Sequence, residues 1–322
     1  MIQTTTVGNY PKLSSTKGDV NIRKMLHRFD KGEIAAAELT AAYDQVTARV
    51  LREQREAGID LPTDGQIRWD DLVTPLAARL DGFHSGGLLR WFDNNVYYRR
   101  PRVTGTVRWR EAIMAADHAK AAREFGGPVK AVLPAPFSFA QLCEDQHYRS
   151  METLMAYLVS VLRSETEALI RAGARHIQFD EPCLPKLPEY GVAAIAALNQ
   201  VIAGQSAEFW LCFYFGDISG LVPALREFRG QVIAVDCVSQ PRNLDITLNL
   251  DSAHNRCFGI IEARNIKLER PEQVRAQLER ISGRHPDAYV SPSCGLEFLP
   301  HRDALAKLSL LGSAVRAFRG GQ

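Results

Sequence analysis

Several absences narrow what this chain can be. No apolar run approaches the roughly 18 residues that a membrane-spanning helix needs, so no membrane is expected as a partner. Charge of one sign is lacking too. Across 322 residues, 39 Lys and Arg lie scattered among 37 Asp and Glu, for a net charge of +2. Such a balance offers no basic stripe, which argues against nucleic acid as a partner. The six cysteines (143, 183, 212, 237, 257 and 294) show no CxxC spacing and no framework density, so free thiols are the default. The opening "MIQTTTVGNYPK" is strand-like and lacks the basic-then-apolar pattern of an export signal. The expectation is a soluble, cytoplasmic, enzyme-sized protein.

Familiar motifs are missing as well. No GxGxxG follows the first apolar strand and no GxxxxGK[ST] occurs, which removes the usual dinucleotide and phosphate cradles. There is no HExxH, no clustered His-x-His and no GxSxG elbow, so neither a self-sufficient metal motif nor an acyl-transfer nucleophile is present.

What is present is alternation. Short β-rich runs occur at 4–8, 59–65, 129–136, 176–182, 208–216, 231–238, 256–263 and 288–295. Helical patterns fall between them at 34–57, 109–125, 150–172, 190–203, 219–228, 242–250 and 271–283, and a last one at 302–318 closes the chain. Eight strands separated by helices predict an α/β fold of the (β/α)8 TIM-barrel type, with residues 1–322 as a single domain. Residues 83–107, rich in aromatics and arginine, form the one long insertion and predict a hairpin lid over one barrel end, with a solvated surface hairpin as the plainer alternative.

Barrel active sites lie at the C-terminal strand ends. The polar residues there are Asn9, Asp64 with Gln66, Asp180 with Glu181, Cys212 or Tyr214, Asp236 with Cys237, Glu262, and Cys294. The stretch "EFWLCFYFGD" (208–217) poses the central question. Cys212 is either a metal ligand facing the barrel mouth or a small residue filling space among aromatics.

Five segments, "TTTVGNYP", "AGIDLPTDG", "IQFDEPCL", "GIIEARNI" and "SPSCGL", occur in an order that resembles the cobalamin-independent methionine synthase family, in its short single-barrel form. "IQFDEP" is the most specific of them. The resemblance implies methyl transfer to a thiol acceptor, homocysteine, bound as a thiolate on zinc, with a corrinoid or methyl-pterin as donor. It further implies a corrinoid protein or a second barrel subunit as possible partner. Asp180 would be catalytic and hold the substrate amino group. Val7, Asn9, Gln66 and Glu262 would complete the substrate site. The family ligands are a His-x-Cys pair, a Glu and a Cys, and only the last, Cys294, carries over intact. Asp236 stands at the Glu, Cys212 at the His and Tyr214 at the pair's Cys, so Cys294, Asp236 and Cys212 are the candidate zinc ligands. Gln66 stands where the family has a substrate-binding Glu. These departures also resemble the zinc-free N-terminal barrel of the longer family members, which makes a donor-binding or partner barrel the alternative.

The plainer readings are specific. Asp180 can form a rim salt bridge with Arg175 or Lys186, and Glu262 can pair with Arg264. Only one of Asp180 and Glu181 should face the mouth, because adjacent strand residues point oppositely. Cys294 can be a buried structural thiol. His301, close after the last strand, is the candidate substitute for the lost histidine.

Overall fold

A computed structural model of the chain describes residues 1–320. Seven strands form a parallel sheet in the order β1 (Gln3–Thr4), β10 (Tyr289–Pro292), β9 (Asn255–Ile261), β8 (Val232–Asp236), β7 (Glu208–Phe213), β6 (His176–Asp180) and β4 (Ala131–Pro134). The residues of β4 and β8 are buried throughout, the pattern of parallel strands covered by helices on one side and packed inward on the other. The second expected strand, 59–65, closes the ring through two parallel bridges, Thr5 to Leu61 and Thr63 to Lys130. Pro62 has no N–H to give to a continuous ladder. The hydroxyls of Thr5 and Thr63 donate to the carbonyls of Leu61 (2.6 Å) and Gly8 (2.8 Å) in its place. The curled sheet is thus the expected barrel.

The outer layer comprises α1 (Ile22–Asp30), α2 (Ala36–Ala57), α3 (Thr74–Ala77), α4 (Ala115–Phe125), α5 (Pro136–Gln141), α6 (Met151–Arg171), α7 (Gly191–Ile202), α8 (Val222–Leu225), α9 (Arg242–Asn249), α10 (Pro271–Ser282) and α11 (His301–Gly320). Their ends follow local chemistry. Ser150 caps α6 by accepting from the Thr153 N–H at 3.2 Å, and α2 stops at Gly58 in the left-handed conformation (φ 85°). The helix expected over 109–125 starts later, because buried Glu165 accepts the N–Hs of Ile113 and Met114 and the indole N–H of Trp109 (2.7 Å). The helix expected over 219–228 shrinks to a 3-10 turn (Ser219–Leu221) and α8, whose first turn holds Pro223. Helices α1, α3 and α5 were not anticipated. None of the described helices is long and apolar enough to cross a membrane.

The insertion is a hairpin of β2 (Asp81–Arg90) and β3 (Tyr97–Arg108), joined at its base by β5 (Glu144–Asp145). Inside the barrel, the amino end is filled by Lys130, Trp210 and Tyr289. The Lys130 ammonium sits 4.3 Å from the Trp210 ring centre, and that ring lies 4.5 Å from Tyr289.

Candidate active site

Asp180 ends β6 with its side chain inside the barrel. Its Oδ1 accepts from Gln178 Nε2 at 2.6 Å, and its Oδ2 accepts from the Tyr214 hydroxyl at 3.0 Å. Gln178 also donates to the carbonyl of Val7 at 2.7 Å, tying β6 to the end of the first strand. Burial is the largest influence on Asp180 and raises its carboxyl to about 7 against the pull of these donors. The rim salt bridge is not seen. Lys186 pairs with Asp93 at 3.2 Å.

Glu181 faces the other way, as strand alternation requires. It accepts from the hydroxyl and the N–H of Ser138 in the first turn of α5, and burial raises its carboxyl to about 8. It anchors the loop after β4 and lies outside the mouth.

Cys212 pairs with Asp180 in register, so it shares the inward face, and its electrostatic neighbours include Lys130 and Cys257. Burial, reinforced by the Asp180 charge, pushes its thiol well above the ordinary value. Cys294 is likewise buried at the end of β10, its thiol raised by burial and then by Glu297 and Asp236, and it donates to the Gly295 carbonyl at 3.4 Å.

A zinc site requires N, S or O donors within about 2.0–2.3 Å of one point. Among the described residues, no three His, Cys, Asp or Glu side chains are placed to hold a metal ion. Asp236 is already engaged by backbone donors. Asp236 Oδ1 accepts from the Val238 and Ser239 N–Hs, both at 2.9 Å, and its Oδ2 accepts from Phe215 N–H at 3.4 Å. The Tyr214 hydroxyl is directed at Asp180. Cys294, Asp236 and Cys212 are therefore not assembled as a ligand set, and the residues present do not fit zinc. His301 does not substitute. Its Nε2 faces Glu53 at 2.9 Å and its Nδ1 faces Ser15.

The remaining sequence candidates divide. Asn9 stands at the mouth, where its carbonyl accepts from Leu296 N–H at 2.8 Å and its side chain bonds Glu297. Gln66 lies beside Gly8, fixed by its N–H to Asp64 Oδ1 at 2.8 Å. Glu262 instead accepts the Arg264 N–H within its own loop, at 2.9 Å. The Arg264 guanidinium goes to the Phe215 ring (5.2 Å) and not to Glu262.

Sequence reasoning missed Glu297. It enters the mouth three residues after Cys294, and burial raises its carboxyl to about 7, with the Asp180 charge adding to the effect. The only signal was an acid within "SCGLEFLP", read there as a loop. The aromatic closure was missed too. Phe92 at the hairpin tip meets Phe215 at 5.3 Å, and Phe215 meets Phe298 at 6.0 Å. Gln66, Phe92 and Phe215 all adopt positive φ (47°, 49° and 66°), a strained conformation for non-glycine residues that clusters at functional sites. The hairpin does reach the mouth. A cleft of about 50 Å³ beneath it is lined by Asn9, Trp69, Trp91, Tyr98, Glu297 and Phe298. A larger cavity of about 230 Å³ is lined by Asp64, Arg68, Asp117, His118 and Lys130 among others, and not by Asp180, Gln178 or Tyr214.

Comparison with known proteins bears on this geometry. The model of the "Cobalamin-independent synthase, Catalytic domain" family matches residues 2–317. Methionine synthases of Sulfolobus acidocaldarius and Saccharolobus solfataricus are 29% and 25% identical. These alignments cover 96% and 99% of this chain, and 89% and 95% of the relatives. Among solved structures, a B12-independent methionine synthase from a Shewanella species, in complex with selenomethionine, superposes with a TM-score of 0.87 at 22% identity, over 100% of this chain and 98% of that one. A putative vitamin-B12 independent methionine synthase from Listeria monocytogenes gives 0.76 at 16% identity, over 99% of each chain. Both share the barrel fold.

Proposed function

Because the chain belongs to the cobalamin-independent synthase family, we propose that it transfers a methyl group to the sulfur of homocysteine, giving methionine. A carbon–sulfur bond forms as the bond between methyl and donor breaks; the electron pair leaves with the donor and the thiol proton passes to solvent. The observation that carries this reading is the buried carboxyl of Asp180, oriented by Gln178 and Tyr214 at the mouth of a barrel matched by the family over 2–317. A carboxylate so fixed suits an amino-acid ammonium. The related fold that binds selenomethionine supports an amino acid as the ligand.

The hairpin tip and Phe215 exclude water from the reacting sulfur. No step is assigned to zinc, since the donors do not fit it. An unassisted thiol with a pKa of about 8.5 reacts through its thiolate fraction. Turnover should therefore rise with pH toward that value. The donor is a methyl-corrinoid or a methyl-pterin, brought by diffusion, by a corrinoid protein or by a second barrel subunit. The poor fit to zinc favours one second reading, a barrel that binds the donor without catalysing transfer.

The test is to incubate the chain with homocysteine and either methylcobalamin or methyltetrahydrofolate, measuring methionine by mass spectrometry. Methionine above the protein-free rate with one donor supports the enzyme. Donor binding without methionine supports the second reading, and neither binding nor product removes both.

A further inference from the structure

Two polar atoms at the mouth are shut off from solvent and have no partner, Gln66 Nε2 and Glu297 Oε2. Both side chains lie against a glycine at a strand end. Gln66 packs beside Gly8, where a Cβ would come within 2.5 Å of its amide oxygen. Glu297 packs beside Gly295, where a Cβ would collide with the carboxylate. Asn9 stands between them, its Cβ 3.1 Å from where a Gly295 Cβ would be, and its side chain bonds Glu297. Gln66 is only 2% exposed and holds a left-handed backbone for a non-glycine residue. Its amide is thus built into place rather than left over.

An unpaired buried donor or acceptor costs about 1–3 kcal/mol. A site that keeps one of each, next to a third polar group, is shaped for a ligand that supplies both complements. Gln66 Nε2 needs an acceptor, and Glu297 needs a donor. Gln178 ties Asp180 to the Val7 carbonyl, the next residue Gly8 lies against Gln66, and Asn9 after it lies against Gly295 and Glu297, so the three side chains surround one short stretch of backbone.

We propose that Glu297 and Asp180 together clamp the α-ammonium of an amino-acid substrate, while the Gln66 amide holds its carboxylate. This rests on the functional reading above and sharpens it. Where the family resemblance places a carboxylate on the second strand, this chain carries the neutral Gln66, and the eighth strand supplies the acid in its stead. The substrate class is a free α-amino acid with an unmodified amino group. Des-amino analogues and peptides blocked at nitrogen are excluded.

The experiment is isothermal calorimetry of the full chain with L-methionine and with 4-(methylthio)butanoate, which lacks only the amine. Wild type should prefer methionine by at least tenfold. E297Q should cut that preference by ten- to a hundredfold, the range of one charge-assisted hydrogen bond. The double variant Q66E/E297Q returns a carboxylate to the second strand and should restore the preference; this also covers a folding defect in the single variant. Methionine binding that survives E297Q unchanged overturns the clamp and leaves the methyltransferase reading standing. Loss of preference in E297Q that Q66E fails to restore, in a protein that melts like wild type, overturns the relocation of the acid. Wild type that binds neither ligand overturns the clamp together with the reading beneath it.

Discussion

At its amino end the barrel is filled with Trp210, Tyr289 and the stem of Lys130, and polar character there is absorbed. The Lys130 amine lies over an indole ring, and burial pushes its pKa down. At its carboxyl end the same strands stop on Asp180, Tyr214, Asp236 and Cys294, and the loops beyond them keep unpaired atoms and positive-φ side chains. One end is closed by stacked rings, whereas the other leaves Gln66 Nε2 and Glu297 Oε2 without partners. The difference shows that the barrel places its strain where a ligand can relieve it. The two acids of Asp180-Glu181 point to opposite sides within one dipeptide. Glu181 has its partner in Ser138 of α5, whereas Asp180 is bonded inside the barrel to Gln178 and Tyr214.

Substitutions should separate the two ends. Trp210→Ala at the filled end should lower stability by about 3–5 kcal/mol in urea unfolding, through the cavity and the loss of the ring facing Lys130. A loss below about 1 kcal/mol would mean that this end is not the structural one. Asp180→Asn should do the opposite, leaving the melting temperature within a few degrees while weakening methionine binding by about 1.5–3 kcal/mol. Equal losses of fold and binding would break the comparison.

The mouth should also carry a pH signature. Folding raises Asp180 from 3.8 to about 7, Glu181 from 4.5 to about 8 and Glu297 from 4.5 to about 7. In each case the folded state holds the proton more tightly than the unfolded one. Stability contributed in this way is present below about pH 4 and falls as pH rises toward 7 to 8, by at most about 1.4 kcal/mol per pH unit per group. Denaturation midpoints measured from pH 4 to 8 should fall with this sign, and Glu181→Gln should flatten the upper part. The smallest effect expected is that of a chelator. Protein purified without chelator should contain well under one zinc per chain by plasma mass spectrometry, and chelation should leave turnover unchanged. One zinc per chain that disappears in Cys294→Ala would overturn the argument against a ligand set.

Much of this was legible in the residue order. The strand–helix alternation set the barrel, because each strand is a short buried run and each helix has one apolar face. The DEP segment located Asp180, and the aromatic insertion marked the hairpin. The exceptions have physical causes. Pro62 reduced the second strand to two bridges, and Glu165 delayed α4 from 51 residues away. Glu297 was hidden because a loop acid looks the same in sequence whether it points to water or into a barrel.

Local chemistry, then, determined the elements, their order and the polar strand ends, since periodicity and turn residues act over a few neighbours. Only the tertiary structure decided that Tyr214 bonds Asp180, that Asp236 is held by backbone N–Hs, and that Glu297 and Gln66 flank Asn9. Those outcomes depend on distances between residues far apart in the chain, which exist only after the ring has closed.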